Sequence, residues 1–239
     1  MKIRSLIGPL AFTLPAVLVL LTMGFWQLER LSWKEGLIAE RAVALRAEPV
    51  LLPQDDKNMA DMNFRRVYVT GRFLHEKTQH LQNRNLNGVR GIDLITPLQR
   101  TAEEGAGIVL VNRGWLPLKM LPQFDALKTR NAETTPVRIQ GVVRSGARDR
   151  NAFTPDNIPE ESLWFSVDPR AIAQILNLKI PSLVIQADQA SKPGEYPVSG
   201  LSTYNLKNNH LSYALTWFAL AAALMLIFGL FVRRLRDQG

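Results

Sequence analysis

The chain has 239 residues, 46% of them hydrophobic and 21% charged, no cysteine, and a formal net charge of +8. Without cysteine there can be no disulfide framework, no thiolate zinc site and no thiol chemistry. Half of the excess charge lies in two short tails, Lys2 and Arg4 at one end and Arg233, Arg234 and Arg236 against Asp237 at the other. The rest is diluted along the chain with no basic stripe between aromatics, so nucleic acid is not the expected partner.

Residues 5–24, "SLIGPLAFTLPAVLVLLTMG", contain no charge. Such a run is long enough to cross a hydrocarbon layer of ~30 Å at ~1.5 Å per residue. It ends in "MGFWQLER" without a small-x-small cleavage site, so an uncleaved anchor is expected, an N-terminal transmembrane helix over 1–28. The helix is expected to continue over 29–50, because "FWQLERLSWKEGLIAERAVALRAE" has Gly36 as its one weak point and Pro49 as its stop. Trp26, Arg30, Trp33 and Leu37 share one line of that extension, with Trp26 at headgroup depth.

Beyond a polar stretch the pattern changes from period 3.6 to period 2. Seven short β-rich segments follow, at 64–74, 80–86, 91–99, 107–118, 137–145, 163–168 and 182–188, separated by Gly, Pro and Asn/Asp clusters. One short helix is expected at "DPRAIAQILNL", with Asp168 as its cap and Pro169 in its first turn. This makes 51–209 an α+β unit, an antiparallel β-rich domain of barrel or sandwich type with one or two short helices.

A second uncharged run, 211–232, predicts a C-terminal transmembrane helix over 210–232, followed by a basic tail at 233–239. Short basic tails on both spans place both termini in the cytoplasm and the 51–209 domain outside, by the positive-inside rule. The expected setting is a bacterial inner (cell) membrane, multi-pass, with a periplasmic domain.

Few residues suggest chemistry. His75 and His80 flank a turn beside Glu76, too few ligands for a metal site, and read as solvated loop residues. Asp55–Asp56 and Glu103–Glu104 read as solvation. No nucleophile triad or phosphate loop stands out, so the chain is not expected to be an enzyme. In "VNRGWLPL", Gly114 permits a bulge that re-aims Arg113 and Trp115. These two are either a strand end with a core tryptophan or a partner-binding surface.

In "NNHLSYALTWFALA", helical spacing puts His210, Ala214, Trp217, Ala221, Leu224 and Phe228 on one face, with Tyr213 beside it. His210 reads either as an interfacial hydrogen-bonding group or as an axial imidazole for haem iron, with the macrocycle between the two spans. In the second case Arg30 is the nearest base for a propionate, and Trp217, Tyr213 and Trp26 are the aromatic contacts.

Four stretches in order, "FWQLERLSWKEGLI", "RGIDLITPL", "VNRGWLPL" and "NNHLSYALTWFALA", resemble the surfeit locus protein 1 family over nearly the whole chain. The resemblance implies a doubly anchored protein that assists assembly of a haem–copper oxidase of the cytochrome c oxidase type. It implies a transient hold on haem a for insertion into the large catalytic subunit, with the histidine of the C-terminal helix, matched by His210, as the haem-associated residue. Trp217, Tyr213, Trp26 and Arg30 as cofactor contacts, and Arg113 and Trp115 as partner contacts, come from position and not from the resemblance. The large oxidase subunit, haem a synthase and membrane lipid are the expected partners, and haem iron is the one metal expected. The competing expectation is a membrane-anchored scaffold for oxidase biogenesis that never touches haem.

Overall fold

The computed structural model describes residues 4–130, 135–147, 150–189, 191–192, 194–200 and 208–237. They form two units, one of residues 1–41 with 205–239 and one of residues 42–204.

The first unit is a pair of helices. Helix α1 spans Arg4–Arg46 without a break, so the apolar run and its polar extension are one rod. Its 43 residues amount to roughly 65 Å at the α-helical rise. Pro9 and Pro15 lie inside it without ending it. The second helix of this pair begins at His210 and runs to Asp237. Both are long and apolar enough to cross a membrane. Their outward faces leave Phe12, Leu14, Leu18, Leu215, Leu226 and Ile227 open, as surfaces meeting lipid do.

The second unit is built on eight strands: β1 (Val50–Leu51), β2 (Arg66–Phe73), β3 (Gln79–Leu86), β4 (Val89–Arg100), β5 (Ile108–Pro117), β6 (Val137–Ser145), β7 (Leu163–Trp164) and β8 (Leu183–Ala187). Their order is β1-β2-β6-β8-β5-β4-β3-β7, with a further pairing of β2 to β4. Three helices join them: α2 (Asp56–Ala60), α3 (Leu121–Arg130) and α4 (Pro169–Ile175). The His210–Asp237 helix is therefore α5. The expected strands are found, with β1 in addition and β7 shorter than 163–168.

The sheet is mixed, where an antiparallel barrel or sandwich was expected. β1 runs parallel to β2, β7 to β3 and β8 to β5. The cause lies in the connections. Residues between β5 and β6 are taken up by α3, so β6 does not fold back on β5 but pairs with β2. The gap beside β5 is filled by β8, arriving by way of α4. The sheet curls where Gly71, Arg72 and Phe73 of β2 meet Arg100, Gln99 and Leu98 of β4, but it is not a closed barrel.

β5 is buried on both faces, which accounts for its unbroken "IVLV". Val109 and Val111 face one cluster with Val67, Val69, Leu98, Val143 and Ile185. Leu110 faces another with Leu81, Ile95, Trp164 and Ile172. Farther along, Leu116 joins Ile92 and Leu94 beneath Phe124 of α3.

Several acids read as solvation have structural partners. Asp55 caps α2, accepting from the Asn58 backbone N–H at 2.8 Å, and these hydrogen bonds hold its carboxyl below the usual range. Glu104 accepts from the Thr70 backbone N–H at 2.6 Å and hydroxyl at 2.8 Å. Asp168 caps α4 as expected, accepting from the backbone N–H groups of Arg170 and Ala171. Arg100 is buried at the end of β4 and donates to the carbonyls of Pro53 (2.9 Å), Leu52 (2.6 Å) and Glu104 (2.5 Å). Burial lowers its pKa, and the Glu104 carboxylate offsets part of that.

Gly71 marks the tightest point of the curl, since a Cβ there would meet the Gln99 carbonyl of β4. Gly71→Ala is expected to lower stability by about 1–3 kcal/mol, the range for overpacking. Gly36→Ala, on an open helical surface, should leave stability equal or slightly higher. Thermal unfolding of the detergent-solubilised chain followed by circular dichroism reads both.

Candidate functional site

The helix pair meets along a line of small residues. On α1, Val17 and Gly24 are buried and Leu20, Gln27 and Leu31 half-buried, a spacing that keeps one face toward a neighbour. On α5, Ala214 and Ala221 are 1% and 0% exposed, with Trp217, Leu224 and Phe228 half-buried on the same side. The face expected from the sequence is thus the inward one. A Cβ on Gly24 would run into the Phe218 ring, and Phe25 meets that ring edge-on at 5.4 Å between centroids. Small residues let the backbones approach this closely. The alanines expected to admit a flat ring are covered by protein.

His210 stands at the first turn of α5 and is half-buried. Its backbone N–H points to the Asn208 side-chain oxygen at 3.4 Å. Its ring Nδ1 lies 2.7 Å from Oε1 of Gln27 on α1. Nε2 makes no hydrogen bond to any described residue. An imidazole with one nitrogen held by a polar neighbour and the other uncommitted suits a single axial iron ligand. Of the other candidates, Trp217 lies on the contact line. Tyr213 and Trp26 are 56% and 50% exposed. Arg30 stacks on Trp33, its guanidinium carbon 4.0 Å from the ring centroid. Gln27 was missed by the sequence reading, although its spacing from Leu20, Gly24 and Leu31 could have shown it.

In the second unit, the bulge at "NRG" is present. Asp93 pairs with Trp115 and Ile95 with Asn112, so two residues of β5 oppose one of β4. The Asn112 carboxamide fixes it, donating to Asp93 at 3.1 Å and accepting from the Gly114 N–H at 2.9 Å. Gly114 has φ 117°, and a Cβ there would meet the Val198 carbonyl. Trp115 exchanges two backbone hydrogen bonds with Val198, at 2.8 and 2.7 Å. Its side chain is not offered to a partner, since the residue is 6% exposed. The bulge turns Trp115 into the fold, as the core-tryptophan alternative has it, and leaves Arg113 half-buried.

Arg113 lies over the rings of Phe73 (4.5 Å) and Phe124 (5.5 Å), and its Nη1 is 3.2 Å from His75 Nδ1. It borders a cavity of about 370 Å³ with Phe73, Val111, Ile139, Lys192 and Glu195. His75 and His80 are half-buried in this unit, not solvated loop residues, because the turn carrying His75 folds against Phe73 and His80 lies in β3. Among the described residues no three His, Cys, Asp or Glu side chains converge as a metal cage.

Because the chain has no native cysteine, the helix contact can be read by cross-linking. A Gln27→Cys/His210→Cys variant is expected to join with a short bifunctional thiol reagent. Adding Gly24→Leu should reduce that yield several-fold by pushing Phe218 away.

Comparison with known proteins bears on most of the chain. The SURF1 family model matches residues 14–222, from within α1 across the β-rich unit into the first turns of α5. A SURF1-like protein of Monosiga brevicollis is 34% identical over 222 residues, covering 89% of this chain and 82% of that one. Surfeit locus protein 1 of Rattus norvegicus is 34% identical, covering 89% and 72%, and that of Homo sapiens 32%, covering 84% and 70%. A match running from the first apolar helix through the sheet and into the second, at this identity and coverage, means that the chain belongs to the SURF1 family.

Proposed function

We propose that this protein assists assembly of a haem–copper terminal oxidase of the cytochrome c oxidase type. It holds haem a on its helix pair and passes it to the large catalytic subunit. Family membership supports the assembly role. The observation that carries the haem role is the His210 ring, held on one nitrogen by Gln27 and uncommitted on the other.

Haem a is cargo here, and it approaches laterally from the bilayer because its farnesyl chain is strongly apolar. His210 supplies one axial nitrogen. The macrocycle lies against the helix pair, where Trp26 and Tyr213 present open aromatic surface. Trp217 backs that surface from the contact line. Arg30 neutralises a propionate by leaving its stack on Trp33. A hold through one protein ligand suits a carrier, since the cargo must leave again. The β-rich unit contacts the oxidase subunit and haem a synthase by the surface around Arg113. Arg4 before one span and Arg233, Arg234 and Arg236 after the other support cytoplasmic termini and a periplasmic domain in a bacterial inner membrane.

Two observations favour a second reading, a scaffold that never binds haem: the helices pack directly on each other at Gly24, and there is a cavity beside Arg113. The two readings part on one experiment. The protein is purified after co-expression with haem a synthesis enzymes, and its visible spectrum is recorded. The carrier reading expects bound haem, reduced at least tenfold in His210→Ala and unchanged in Arg113→Ala. A colourless wild type, with oxidase assembly lost in Arg113→Ala and kept in His210→Ala, establishes the scaffold instead.

A further inference from the structure

We propose that Gln27 is a positioning residue that sets the tautomer and orientation of His210. The inference rests on the reading of His210 as the haem ligand, and it goes beyond that reading by naming what makes the ring competent.

The contact is 2.7 Å, from ring Nδ1 to the carboxamide oxygen of Gln27. A carboxamide oxygen only accepts, so Nδ1 must carry the proton. In a neutral ring the lone pair is then on Nε2. Nε2 has no partner among the described residues, so the nitrogen left for a metal is the one away from Gln27. Metal-binding histidines nearly always donate their second N–H in this way, which fixes the ring and raises its basicity.

The fold supports this role. Gln27 stands one turn beyond Gly24, on the face of α1 that meets α5. The absence of a side chain at Gly24 lets Phe218 and its helix come close. With an apolar partner here, the half-buried carboxamide oxygen and ring Nδ1 would both go unsatisfied; paired, they satisfy each other. Asn208 and Asn209, next to the ring in sequence, leave this position free: the Asn208 side chain takes the His210 backbone N–H, and the Asn209 carbonyl accepts from the Tyr213 N–H.

The test uses the full chain in detergent with its histidines labelled with nitrogen-15. The His210 resonances are assigned by their loss in His210→Gln. Haem-free wild type is expected to show Nδ1 protonated and Nε2 unprotonated. Gln27→Leu should shift the ring toward the Nε2-protonated form that unconstrained histidine favours. Gln27→Glu, whose carboxylate can only accept, should keep the wild-type tautomer. Titration with ferric haem b is then expected to show a Kd raised about 10–100-fold in Gln27→Leu and restored to within a few-fold in Gln27→Glu. That rescue separates positioning from misfolding. A wild-type ring protonated at Nε2, or a Gln27→Leu variant with unchanged tautomer and affinity, overturns the role of Gln27. If His210→Ala still loses haem in that case, the ligand reading survives alone. His210→Ala that keeps wild-type haem affinity overturns both.

Discussion

The close approach of α1 and α5 at Gly24 is the constraint on which the site depends. Without a side chain at that position, the Phe218 ring lies directly over α1. Ala214 and Ala221 continue the contact on α5. Association of apolar helices draws on such packing, because burying hydrocarbon against hydrocarbon in lipid gains little. One turn farther along α1, the same proximity puts Gln27 within hydrogen-bonding distance of His210. Packing and polar chemistry are therefore coupled: a substitution that parts the helices also releases the imidazole.

The β-rich unit is held by a different logic. Its sheet curls where β2 touches β4, and a glycine is needed there because a side chain would meet a carbonyl. Arg100, at the end of β4, gathers three carbonyls from the chain segments around it. Charge-assisted hydrogen bonds of this kind are stronger than neutral ones, and they offset the burial of a guanidinium. The bulge at Asn112–Gly114 then turns Trp115 inward and leaves Arg113 beside the cavity.

Much of this was legible from local pattern. The two uncharged runs are α1 and α5, and the period-2 segments are the strands. Asp168–Pro169 marked α4 because capping and a fixed φ act within a few residues. The bulge at Gly114 was readable for the same reason. Strand direction was not, because period 2 reports which face is buried and says nothing about which strand lies alongside; β8 beside β5 is set by a return through α4. Helix α3 was hidden by Pro122 and by charges among its few apolar residues. The face of α5 was correct, but not what fills it: spacing shows that alanines face a neighbour without showing that the neighbour is already there. Spacing puts Gln27 on the contact face of α1, but its meaning depends on a residue 183 positions away.

The central claim is that the His210 imidazole, steadied from the first helix, binds iron through Nε2. Electron–nuclear double resonance on the ferric haem a complex, with histidine labelled at Nε2 with nitrogen-15, addresses it directly. The account predicts a strong hyperfine coupling from one histidine Nε2. A complex with no labelled histidine nitrogen on the iron, or with coupling that persists when residue 210 carries no imidazole, contradicts it.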